Sequence, residues 1–100
     1  MRSTVICLTI VAEAVLESRL LEDLAAAGAK GWTITAARGT GPINRRVSDL
    51  EGGSIRVEAL LPATAAEGMW QILQRNYFTD YAVVAWSSEV QVARSEHYGA

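Results

Sequence analysis

Residues Arg38–Gly53 read RGTGPINRRVSDLEGG, and the fold turns on what this stretch is. It joins ITAA (Ile34–Ala37) to IRVEALL (Ile55–Leu61), two apolar strand-like segments, and has no hydrophobic periodicity of its own. It holds three arginines (Arg38, Arg45, Arg46), four glycines and one of the two prolines. A connection this long in a small domain is uncommon and is usually functional or disordered. Glycines admit close backbone approach to a ligand, and neighbouring arginines suit phosphate or another small anion. The residue-level alternative is a solvated loop in which Arg45 and Arg46 pair with Asp49 and Glu51. Gly-x-Gly alone is a weak signal, and no helix is predicted directly after it, so this is neither a dinucleotide fingerprint nor a Walker loop.

Working outward, Ser3–Ile10 (STVICLTI) is β-branched and apolar, a strand buried on both faces. Glu13–Ala27 reads as a helix with Leu16, Leu20, Leu24 and Ala27 on one stripe, poorly capped at its start and stopped by Gly28. Gly31–Ala37 alternates as a half-buried strand, and Ser54–Leu61 resumes after the loop with Ile55, Val57 and Ala59 on one side. Thr64 and Glu67 form a predicted capping box after Pro62, opening a helix with Met69, Ile72, Leu73 and Tyr77 at helical spacing. Phe78–Tyr81 is a turn, Ala82–Trp86 (AVVAW) a strand apolar on both sides, and Glu89–Ala93 (EVQVA) a short extra edge strand. The tail ARSEHYGA is polar and predicted mobile.

The order is βαββαβ, an α+β ferredoxin-like sandwich with a short extra C-terminal strand and a long loop between strands 2 and 3. Two helices cover one face of such a sheet, and the second face here carries apolar residues that need a cover, which predicts oligomerisation. A trimer or dimer with the sheets facing inward would supply it.

The chain has 100 residues, 50% of them hydrophobic, and a net charge of −2. That bounds it to a single domain, residues 1–100, with no overall basic field for nucleic acid. The basic residues are eight arginines and Lys30 alone, which favours bidentate anion recognition. Cys7 is the lone cysteine, so an intrachain disulfide and a cysteine-based metal site are excluded. Arg2, the VICLTIV run and Ala12-Glu13-Ala14 imitate a signal peptide, but cleavage would delete the best strand. No segment approaches the roughly 20 apolar residues of a membrane span. The expected location is cytoplasmic.

Enzyme chemistry finds little support: there is no nucleophile–base spacing, nucleophile elbow or metal-ligand cluster. An RNA-binding sheet needs aromatics on its central strands, and VICLTI and IRVEALL have none. Trp32, Trp70 and Trp86 read as core or interface packing before base stacking. Asn44 could bond a ligand oxygen or close a turn on its own backbone, and Thr79-Asp80 is most simply a turn-stabilising pair. His97 stands alone in the tail.

Three motifs nonetheless occur together and in order: Gly28-Ala29-Lys30-Gly31-Trp32-Thr33 before the second strand, Gly39-x-Gly41-x-x-Asn44-x-Arg46 at the loop base, and Phe78-Thr79-Asp80-Tyr81-Ala82 after the second helix. In these the chain resembles the PII signal-transduction superfamily, specifically its PII-like branch associated with bicarbonate transport and carboxysomes. The resemblance covers nearly the whole chain. It implies a non-enzymatic homotrimer with nucleotide clefts between neighbouring subunits and a T-loop of about residues 39–53 springing from the edge of each cleft. It implies ADP or AMP as ligand, bicarbonate beside it, no required metal, and a partner such as a bicarbonate transporter or a carboxysome-related protein. Gly39, Gly41, Asn44 and Arg46 match the loop-base motif around the nucleotide phosphates, with Arg38, Thr40 and Arg45 beside them. Thr79, Asp80, Tyr81 and Ala82 match the segment that closes the cleft from the neighbouring side.

The departures narrow the expectation. The nitrogen-regulating members carry Thr-Gly-x-x-Gly-Asp-Gly-Lys after the second helix, which RNYFTDYA (Arg75–Ala82) does not reproduce. Losing that lysine disfavours tight ATP–Mg²⁺ binding and 2-oxoglutarate sensing. The loop has no tyrosine, which excludes uridylylation there, and nothing around Ser48 argues for phosphorylation. A C-terminal cysteine pair seen in some relatives is absent. Alternatives on the same fold are a metal-binding or enzymatic trimer of the copper-tolerance kind, and a purely structural assembly domain.

Overall fold

The computed structural model describes residues 2–39 and 53–99. Thr40, Gly41, Asn44, Arg45 and Arg46 of the predicted site lie outside the described residues. The elements are β1 (Arg2–Glu13), α1 (Glu17–Ala27), β2 (Trp32–Ala37), β3 (Ser54–Leu61), α2 (Ala63–Asn76) and β4 (Val84–Ala93). The strands form an antiparallel sheet in the order β2-β3-β1-β4. The α+β βαββαβ architecture is as expected, with both helices on one face.

β1 continues past the predicted end at Ile10, because Val11, Ala12 and Glu13 find partners in Arg56, Ile55 and Ser54 of β3. The first helix accordingly starts at Glu17, after a 3-10 turn at Ala14–Leu16, rather than at Glu13. Ladder bonds to a distant strand outweigh the helix propensity of Glu13-Ala14-Val15-Leu16. No side chain caps either start. Leu16, Leu20 and Leu24 are buried as the stripe required. Gly28 adopts φ +112°, and Gly28 N–H to Ala25 O (3.1 Å) with Ala29 N–H to Leu24 O (2.9 Å) closes the helix in a Schellman motif.

The predicted capping box does not form. Pro62 is the N-cap, α2 begins at Ala63, and Thr64 is exposed within the first turn. Proline fixes φ near the helical value and offers its carbonyl, which accepts Ala66 N–H at 3.0 Å, so the helix starts before the threonine can cap it. The short extra strand is also corrected: Val84–Trp86 of AVVAW and the whole of EVQVA belong to one continuous strand, while Ala82 and Val83 precede it. Ser87 and Ser88 do not interrupt it, since each has its partner on β1, Leu8 and Cys7. The polar tail folds into a 3-10 turn at Ser95–Tyr98.

Leu8, Ile10 and Ala12 of β1 and Ile55, Val57, Ala59 and Leu61 of β3 meet the helices in one core, with Met69 and Leu73 of α2 and Tyr77 just beyond it fully buried. On the opposite face the picture is more polar than expected. Register places Thr9 between Trp86 and Glu58. The Arg56 guanidinium reaches to 5.7 Å from the Trp86 ring and to 3.6 Å from the Glu58 carboxylate. These long side chains close over Thr9, which is 2% exposed, while Trp86 itself remains 46% exposed. The cover over β1 is therefore partly made by the chain's own charged residues.

Leu24→Ala is expected to destabilise the fold by about 2–5 kcal/mol, the cost of a buried cavity. Gly28→Ala has room, the nearest atom to a new Cβ being Ala65 Cβ at 3.5 Å, but φ is +112°. Its expected cost of about 1–3 kcal/mol comes from backbone strain alone. Chemical denaturation of both variants checks these values.

Candidate functional site

The site is assembled where β1 ends. Glu13 stands opposite Ser54 across β1 and β3, and Ala37 stands opposite Ser54 across β2 and β3. The Ser54 hydroxyl donates to Ala37 O, and Ala14 N–H donates to Gly53 O at 3.0 Å. The stem of the long loop, Arg38–Gly39 on one side and Gly53 on the other, is thus pinned at this end of the sheet. Gly53 takes φ +73°, a turn-out that glycine makes without steric cost. Arg38 and Gly39 are exposed.

The segment between α2 and β4 reaches the same end at the opposite edge. Ala82 N–H donates to Glu13 Oε1 at 3.5 Å. Three strand spacings separate β2 from β4, about 14 Å at ordinary sheet geometry. Arg38–Gly39 and Thr79–Ala82 therefore share one end of the molecule but stand on opposite edges of one chain.

The turn from Tyr77 to Val83 uses most of its own donors. Tyr77 and Phe78 N–H bond to Leu73 O, Asp80 and Tyr81 N–H to Tyr77 O, and Val83 N–H to Tyr81 O. Among the described residues, Thr79 N–H finds no protein acceptor, and Ala82 N–H has only the long contact to Glu13. Thr79 and Asp80 are exposed, Tyr81 is half-buried and Ala82 is buried. Of the predicted set on this segment, the exposed Thr79 N–H is the one with no acceptor among the described residues, while the Ala82 N–H faces the Glu13 carboxylate. The Tyr81 hydroxyl is engaged elsewhere, and the expected Thr79–Asp80 pair gives way to backbone bonds from Tyr77.

Four residues outside the predicted set organise the turn. Arg19 of α1 lies over the Tyr77 ring at 4.6 Å and the Tyr81 ring at 5.5 Å, and donates to Tyr81 Oη (3.1 Å) and Asn76 O (3.4 Å). Tyr77, buried, donates its hydroxyl to Asp23 of α1. Burial first, and then donation to Asp23, push the Tyr77 hydroxyl well above its ordinary pKa. The hydrogen bond to Tyr81 raises the Arg19 pKa further, so this cation is permanent. Glu13, the fourth, joins the turn to the loop stem. The partners lie 54 to 69 residues apart in the chain, and no local spacing announces them.

Among the described residues, no cluster of His, Cys, Asp or Glu could hold a metal ion, and no helix is long and apolar enough to cross a membrane. What the geometry offers is the Thr79 N–H, without an acceptor among the described residues, and the exposed Arg38 at the loop stem, groups suited to an anion.

Fold and site together define a small ferredoxin-like protein whose second and third strands are separated by a long connection. The chain belongs to the nitrogen regulatory protein P-II family, whose sequence model matches residues 6–97. It is similar to a PII-like signaling protein from Thermus thermophilus at 42% identity, with 97% of each chain covered and a TM-score of 0.84. CPII, a nitrogen regulatory PII-like protein from Thiomonas intermedia bound to ADP, AMP and bicarbonate, superposes with a TM-score of 0.88. It shares 21% identity, over 98% of this chain and 96% of that one. The B. subtilis GlnK–ATP complex is more distant, at 11% identity and a TM-score of 0.63, over 87% of this chain and 83% of that one. Among curated proteins, none matches the sequence. The chain is a PII-like signalling protein by family and fold.

Because folding raises the Tyr77 pKa, the folded chain keeps a proton that the unfolded chain releases above its ordinary value of 10.0. The contribution is present below that pH and is lost as pH rises, by at most about 1.4 kcal/mol per pH unit. Urea unfolding from about pH 9 to about pH 11 is expected to show a shallower alkaline decline in Tyr77→Phe than in the wild type.

Proposed function

We propose that the chain is a non-enzymatic, cytoplasmic sensor. It binds ADP or AMP between the subunits of a homotrimer, with bicarbonate beside the phosphates, and acts on a partner in inorganic-carbon metabolism. A bicarbonate transporter or a carboxysome-related protein fits that description. The observation that carries the reading is the placement of the loop stem and the post-α2 turn at one end of the sheet but on opposite edges. At about 14 Å apart, the two halves are joined most simply by a neighbouring chain that brings its turn to this chain's stem. The bound ligands of the Thiomonas protein support the choice of adenylate and bicarbonate.

Within such a cleft Arg38, Arg45 and Arg46 supply guanidinium charge, Gly39 and Gly41 allow the backbone close to the phosphates, and Thr40 and Asn44 add polar contacts. From the adjoining subunit, Thr79 offers its backbone N–H, with Asp80, Tyr81 and Ala82 framing it. Two anions held side by side repel each other, so bicarbonate requires the cationic loop to offset that cost. Pairing of the arginines with the anions converts the segment 39–53 into a fixed surface that a partner reads. The sheet face bearing Trp86 and Arg56 faces the other subunits.

Calorimetric titration with ADP and AMP, with and without bicarbonate, tests the reading. Saturable binding of either adenylate is expected, weakened by about 1.5–3 kcal/mol in Arg46→Ala, the range for a hydrogen bond to a charged group. Absence of heat with every adenylate at millimolar dose refutes it, and unchanged affinity in the variant removes Arg46 from the site.

A further inference from the structure

We propose that Arg19, on α1, is a positioning residue for the adenylate cleft, a clamp that holds the turn 77–82 in the shape its ligand needs. The inference rests on the adenylate reading above. Its basis is that one guanidinium fastens both ends of the turn. Nη2 donates to the carbonyl of Asn76, the last residue of α2, and Nη1 to the hydroxyl of Tyr81, while the planar group stacks over Tyr77 and Tyr81 together. A permanent cation at the carbonyl end of α2 also opposes the negative end of the helix dipole.

The turn contains no glycine and has no pairing to a neighbouring strand between Tyr77 and Val83. Its internal bonds run mostly to a single acceptor, Tyr77 O, which receives Asp80 and Tyr81 N–H at 3.2 and 3.0 Å. The chain is held again at buried Ala82 and Val83, so the stretch that can swing about Tyr77 is Phe78–Tyr81, unless Tyr81 is tied down. Tyr77 is independently anchored by burial and by Asp23, so the hinge point belongs to the core. Tyr81 is tied by the arginine, and by a tilted ring contact to Tyr77 at 6.1 Å. Arg19 itself is exposed and outside the core cluster, so its loss frees the turn without emptying the interior. A turn fixed beforehand spares the ligand the cost of ordering it.

The test uses the full chain with ADP as probe, read by calorimetry, together with amide hydrogen exchange at Asp80 and Tyr81 without nucleotide. Arg19→Ala is expected to weaken ADP binding about tenfold by loss of preorganisation, with faster exchange at those two amides and a melting temperature close to wild type. Arg19→Lys keeps the charge but not the planar fork, and is expected to remain weak. Tyr81→Phe keeps the stack, loses the hydroxyl acceptor, and is expected to fall about threefold, a lost exposed hydrogen bond. Wild-type affinity and exchange in Arg19→Ala overturn the proposal, as does full recovery in Arg19→Lys, which would assign the effect to charge alone. Should Arg19→Ala fail to fold, wild-type affinity and exchange in Tyr81→Phe overturn it. A wild-type chain that binds no ADP overturns the adenylate reading beneath it, and the exchange comparison separates that failure from failure of the clamp.

Discussion

The organisation of this molecule depends on one strand hydrogen-bonded on both sides. β1 pairs with β3 from Ile6 to Glu13 and with β4 from Arg2 to Val11, so its register fixes where both neighbours begin and end. Its last residue, Glu13, lies opposite the start of β3 and within reach of the residues that enter β4. The loop stem and the post-helix turn owe their common location to that strand end. Neither could shift by a residue without turning the core-facing side chains of its strand toward the opposite face.

The same arrangement sets the functional logic. On the proposed reading, the two half-sites stand on opposite edges of each chain, and a ring of identical chains closes every one. In the proposed site a small anion is a suitable link, since arginine side chains and the Thr79 N–H would each satisfy its oxygen atoms. The second sheet face fits a role at the centre of such a ring. It is half apolar, with Trp86 open and a guanidinium laid across it, and Val5 and Thr9 are already buried within the chain. The Arg56–Trp86 contact, partly exposed, is worth about 0.5–1 kcal/mol, enough to preset the face but not to cover it.

Much of the fold was legible because local pattern and tertiary demand agree. The alternation of Ile55, Val57 and Ala59 gave β3 its bounds, Ser54–Leu61, and the leucine stripe with Gly28 gave α1 its face and its stop. Errors arose where a distant partner overrode a local signal. Val11–Glu13 joined the sheet because β3 offered ladder bonds, and Ser87-Ser88 did not break β4 because β1 runs alongside. The capping box failed for a local reason, Pro62 starting the helix first. The loop-base motif was visible as composition, yet Arg19, Asp23 and Glu13 were not. Their partners are distant in the chain, and an arginine on a helix surface ordinarily signifies only solvation.

A complete site, on this reading, needs two chains. Native mass spectrometry of the protein with ADP tests that requirement most directly, by showing which assembly retains the nucleotide. A trimer carrying one ADP per chain, with free monomers emptied of ligand, is the predicted result. ADP held firmly by a single chain would contradict it.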